Sequence, residues 1–153
     1  MLSELLYKIR QLYKEAGENT EKARELRKFV EELPIEIEPL RLAYQAACEA
    51  LKARETWFPW EKLAHFQKSM EMFAKAIAQN KNQIEVRFLR YTIQKNTPFI
   101  LGLSVDLQDD KQVILKHLQD SLTDAYMKTA IVKHLLENEH FSNQEKQFLQ
   151  TFL

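Results

Sequence analysis

The chain has 153 residues, of which 45% are apolar, with 22 basic and 22 acidic side chains, two glycines and four prolines. Strong helix formers (Ala, Leu, Glu, Lys, Gln, Arg, Met) fill 89 positions, a stock that excludes a turn-rich sheet protein or a glycine-dependent phosphate loop. Zero net charge, mixed even locally, argues against nucleic-acid binding and a polybasic membrane helix, and no apolar run reaches the roughly 18 residues a bilayer span needs.

Leu2, Leu5, Ile9, Leu12 and Ala16 recur at helical spacing, and Gly17 supplies a stop. A second helix begins near Asn19 or Thr20, with Ala23, Leu26, Val30 and Leu33 inward, and Pro34 ends it. Ile35-Glu36-Ile37-Glu38 alternates between two prolines and reads as an extended linker. Pro39 suits the first turn of a third helix whose seam is Leu40, Tyr44, Ala47 and Leu51. Cys48 sits in an alanine-rich stretch as a small packing residue. The loop 54–60 carries Trp57, Phe58 and Trp60, and a fourth helix over about 60–79 shows Leu63, Phe66, Met70, Phe73 and Ile77 in 3-4-3-4 register.

The fifth helix, about 83–96, is apolar on two sides. Ile84, Phe88 and Tyr91 form one stripe, while Val86, Leu89 and Ile93 form another nearly opposite. Arg87, Arg90 and Gln94 occupy the strip between, so this helix is expected at the centre of the domain with a neighbour on each flank. After Pro98 and the apolar stretch Phe99–Leu103, Asp106, Asp109 and Asp110 favour the N-terminal end of a sixth helix with Ile114, Leu115, Leu118 and Leu122 inward. Thr123 is a candidate cap for a seventh helix carrying Tyr126, Met127, Ile131 and Leu135. Ser142-Asn143-Gln144-Glu145 fits a capping box for a last helix with Phe148, Leu149 and Phe152. No linker divides the chain, so residues 1–153 are expected to form a single all-α domain.

The fourth helix resembles the second half of a tetratricopeptide repeat, with Ser69, Phe73 and Ala76 at the small, aromatic and alanine positions. It departs from that repeat at Lys81, where the pattern has proline, and in the long loop at Trp57–Trp60. A wider likeness runs from Ile84-Glu85-Val86-Arg87-Phe88-Leu89-Arg90-Tyr91 through Asn96, then Pro98, Leu101-Gly102 and Asp109-Asp110-Lys111. Tyr44, Ala46-Ala47, Pro59, Lys62-Leu63, Phe66 and Ala76-Ile77 agree with it. In these residues the chain resembles an uncharacterised family of small bacterial all-helical, tetratricopeptide-like proteins carrying an Arg-Phe-Leu-Arg motif. The resemblance implies a repeat-like all-helical fold with no assigned activity, and the chain's own pattern predicts seven or eight helices in antiparallel hairpins, as a tetratricopeptide-like array or compact bundle. Relatives often begin with an export signal, whereas the pattern at Met1–Leu6 is amphipathic. Cytoplasmic residence is the default expectation, and export applies if a leader was removed.

Motifs that carry chemistry are sparse. A single Glu137-x-x-His140 falls short of a di-iron set, Glu61 and His65 lack the second histidine of a zinc-protease helix, and His117 and His134 stand alone. No catalytic residue, cofactor or metal site is expected. The leading expectation is a non-catalytic scaffold that binds a protein or peptide, with Trp57, Phe58, Trp60, Arg87, Arg90 and Gln94 as candidate contact residues. The aromatic trio reads either as a plug over the hairpin's open end or as a partner-binding rim. The arginines read either as an internal ion-pair set or as an anion clamp. The alternatives are an enzyme or small-ligand binder with a pocket beneath Trp57–Trp60 and Phe99–Leu103, and a self-associating protein using its aromatic surface.

Overall fold

A computed structural model describes residues 2–97, 106–137 and 141–153, and eight α-helices without strands account for them. The first hairpin is α1 (Leu2–Ala16) and α2 (Thr20–Glu31). The Asn19 side chain accepts from the Glu21 and Lys22 N–H groups, satisfying donors that the first turn leaves orphaned. Ile35–Ile37 forms a short 3-10 turn rather than the expected extended linker. It lets Ile37 turn into the core while Ile35 faces water.

The second hairpin is α3 (Leu40–Glu55) and α4 (Pro59–Gln79), its connection shortened to residues 56–58. Pro39 is the residue just before α3, and Pro59 opens α4, where its missing N–H costs nothing. Small residues let the two helices approach closely. Ala43, Ala46 and Ala47 are buried, and Ser69 on α4 donates to the Ala46 carbonyl at 2.7 Å. Phe66 and Phe73 follow the predicted register inward, but Leu63 is exposed.

The third hairpin is α5 (Ile84–Lys95) and α6 (Leu107–His117); the fourth is α7 (Ala125–Leu136) and α8 (Asn143–Gln150). Asp124, not Thr123, caps α7, accepting from the Met127 N–H, and Ser142 and Glu145 form the full capping box of α8. Helix α6 ends at His117, so no helical turn carries the periodicity on to Leu122, which is fully exposed. Tyr126 is also exposed.

Each hairpin packs on itself, and the first helices of consecutive hairpins touch, α3 against α5 and α5 against α7. Val86, Leu89 and Ile93 join the apolar cluster of α1–α4. Ile84 and Tyr91 lie in a second cluster with residues of α6–α8, and Phe88 packs against it. The two-sided reading of α5 is therefore correct, and α5 is the wall shared by both cores.

Candidate functional site

The Gln83 side chain accepts from the Glu85 N–H and fixes the start of α5. Glu85 then points into the interior, with 0% of its surface exposed. Its carboxylate receives Arg10 Nε at 3.0 Å, Arg10 Nη2 at 2.7 Å and the Tyr44 hydroxyl at 2.6 Å. The remaining Arg10 nitrogen lies 2.9 Å from Asp124. One polar network thus joins α1, α3, α5 and the cap of α7. Charges taken from water need such complete pairing. Burial, reinforced by the Glu85 charge, pushes the Tyr44 hydroxyl well above its ordinary pKa. Burial pushes Asp124 up as well, but the Met127 N–H and Arg10 outweigh it and hold the carboxyl below its usual value.

Arg87 and Arg90 lie in a second buried set between α5 and α6. Arg90 holds Asp110 two-pronged, at 2.8 and 2.7 Å, and lies 3.4 Å from Asp106. Arg87 donates to Asp109 at 2.6 Å, to Asp110 at 3.1 Å and to the Lys81 carbonyl at 3.0 Å. Gln94 donates to Asp106 at 3.1 Å. Burial raises the pKa of Asp110 despite both guanidiniums. These donors already face carboxylates of the same chain, so the arginines are not displayed to an outside anion.

Trp57, Phe58 and Trp60 are brought together at the tip of the second hairpin, with the Phe58 and Trp60 rings stacked 4.9 Å apart. They do not plug the hairpin. Trp57 is 91% exposed and Trp60 67%, and none of the three lines either groove described below. Further along α3, Glu49 accepts from Lys52 at 3.1 Å and lies 3.0 Å from His65 Nδ1, which places His65 at the α3–α4 seam as expected. The Phe99–Leu103 stretch and His140 of the Glu-x-x-His pair lie outside the described residues.

Two grooves flank the Arg10 network. One, of about 450 Å³, draws its lining from the first helix of every hairpin: Tyr13 on α1, Tyr44 on α3, Phe88 and Thr92 on α5, Met127 and His134 on α7. The other, of about 780 Å³, lies between α1, the turn before α5 and the α6–α7 connection, with Asn80, Asn82 and Gln83 in its wall. They share Arg10 and Tyr126. Between them Gln11 donates to the Tyr126 hydroxyl at 3.0 Å, and the Tyr7 and Tyr126 rings lie 6.0 Å apart. His134 stands edge-on to Phe88 at 5.2 Å; burial first, then Lys95, lowers its pKa. Among the described residues no three metal-ligating side chains converge.

Arg10, Tyr44, Glu85 and Asp124 were not singled out by sequence reasoning as a set. One signal was available: Glu85 is a carboxylate set between the inward residues Ile84 and Val86, where a charge requires a buried partner. Comparison with protein-family models, curated proteins and solved structures returns no match.

Proposed function

We propose that the chain is a non-catalytic scaffold that receives a segment of another protein in the groove over α1, α3, α5 and α7. The observation that carries this reading is the lining itself, to which the first helix of each of the four hairpins contributes. Stacked helical hairpins make such a surface by geometry alone. The groove mixes aromatic and aliphatic walls with the Thr92 and Asn96 side chains, a composition suited to orienting a peptide. Of the groups in and beside it, Arg10 is held by Glu85 and Asp124, and His134 packs on Phe88. The likeness of α4 to the second half of a tetratricopeptide repeat supports the same reading by analogy of shape only.

The test is a photo-reactive residue placed at Asn96, which is exposed in the groove, with one at Lys116 on α6 as control. Irradiation in the native cell yields a discrete adduct at position 96 and none at 116. The reading fails if the two positions give the same adducts.

The exposure of Trp57, Phe58 and Trp60 favours a second contact surface, used in self-association. Sedimentation at several concentrations, with and without Trp57→Ala and Trp60→Ala, tests it. A mass that stays monomeric throughout removes this reading.

A further inference from the structure

We propose that the segment seated in this groove is acidic, a peptide whose carboxylate side chains alternate with apolar ones. The inference rests on the groove being the binding face, and it adds what the occupant is made of.

The wall of the groove contains Arg10, Lys14 and Arg54 and no aspartate or glutamate. Arg10 is neutralised by Glu85 and Asp124. The other two are not. Lys14 is exposed and stands outside every ion pair among the described residues. Arg54 donates to the Gly17 carbonyl at 3.2 Å, a neutral acceptor that leaves the full charge on the guanidinium.

The nearby carboxylates are spent or face elsewhere. Glu15 on α1 lies 3.6 Å from Lys22, and Glu55 on α3 lies 3.5 Å from Arg27. Glu85 on α5 is enclosed by Arg10 and Tyr44, and Asp124 caps α7. Glu18 lines an adjoining pocket, on which Arg54 also borders. Glu137 acts on His134, where Lys95 acts in the opposite sense. Two uncompensated cations therefore overlook an apolar wall formed by Tyr13, Phe88, Leu89 and Met127. A low-dielectric wall strengthens their attraction for anionic groups, while the rings take the apolar side chains between them.

Three end-blocked ten-residue peptides provide the test. They share the same leucine and phenylalanine positions and carry glutamate, glutamine or lysine at all the others. Binding is followed by fluorescence anisotropy and located by amide chemical shifts. The glutamate peptide binds about fivefold or more tighter than the glutamine peptide at low ionic strength, and the gap closes near ~0.5 M salt. Lys14→Glu, at an exposed position that leaves the fold intact, removes that preference, whereas Trp57→Ala leaves it unchanged. If the glutamine or lysine peptide binds as well as the glutamate peptide, the acidic preference is wrong and the groove stands. If none of the three shifts the groove amides, or all shift only those near Trp57, both the acidic preference and the groove assignment are overturned.

Discussion

Arg10 and Glu85 lie 75 residues apart in the chain and meet in a two-pronged ion pair, 2.7 and 3.0 Å long, where no surface of the carboxylate reaches water. Removing one member of such a pair leaves the other charge buried. Glu85→Ala is expected to cost about 3–5 kcal/mol of folding stability. Tyr44→Phe, which removes only the hydroxyl donor, costs about 1.5–3 kcal/mol. Urea unfolding measures both, and a loss below about 1 kcal/mol for Glu85→Ala would mean that the network is not formed in solution.

Asp109 and Asp110 adjoin the same guanidinium, and Asp109 makes the shorter contact, 2.6 Å against 3.1 Å. Burial, not distance, decides their worth. Asp109 is 65% exposed, while Asp110 is 0% exposed and also holds Arg90. Asp110→Ala is expected to cost about 3–5 kcal/mol, and Asp109→Ala about 1 kcal/mol or less. Arg90→Ala should follow Asp110→Ala, giving a large loss of stability. Equal losses at the two aspartates would contradict this assignment.

His134 sets a mild pH dependence. Its pKa is lowered, by burial first and then by Lys95, with Glu137 opposing. As pH falls through 6.5, the unfolded imidazole takes up a proton that the folded one resists. Stability is therefore fully present above 6.5 and declines as pH drops toward the lower folded value. Urea midpoints at about pH 7.5 and 5.5 should differ more for the parent than for His134→Gln. The same difference in both proteins would remove His134 from the account.

Glu49, Asp124 and Glu145 carry this further into acid. Burial raises each carboxyl, but the groups facing them outweigh it: His65, Lys52 and Lys68 at Glu49; the Met127 N–H and Arg10 at Asp124; the Ser142 N–H and Lys111 at Glu145. Their contribution is full above the ordinary values of 4.5, 3.8 and 4.5 and is lost as pH falls through the depressed ones. Asp110, with its raised pKa, works in the opposite sense. Stability measured on descending below about pH 4.5 should fall, and the fall should be shallower for Asp124→Asn.

Cys48 is buried, and burial pushes its thiol up to about 12. The thiolate is the reactive form. An aromatic disulfide reagent should label the native protein at least ~100-fold more slowly than the urea-unfolded chain. Comparable rates would show that α3 opens readily at this point.

The two tryptophans are both exposed, so unfolding changes their surroundings little. Tryptophan emission should barely shift across a urea transition that abolishes helical ellipticity. A large blue shift in the folded state would mean that Trp57 and Trp60 are covered, as in a self-associated form.

Sequence periodicity located the elements where packing is local. The double stripe of α5 and the Ser142–Glu145 box are readable because neighbours a few residues apart determine them. Leu122 departs from the expected inward face because spacing alone continues α6 beyond the turn at which it stops. The aromatic trio was ambiguous because a plug and a rim have the same composition. What resolves it is their exposure, which leaves Trp57 and Trp60 facing water at the hairpin tip. The partners of Glu85 were out of reach, since no local pattern connects it to residues 75 and 41 positions away. The groove appears only once four helices are placed side by side.

The Arg10–Tyr44–Glu85–Asp124 connection also limits how the hairpins can move. Apolar seams tolerate sliding, because one greasy contact replaces another at similar energy. A displacement by a single helical turn, about 5.4 Å, would strand a carboxylate or a guanidinium away from both water and counter-charge. The hairpins are thereby held in one relative setting, and the groove over α1, α3, α5 and α7 keeps the width that this network fixes.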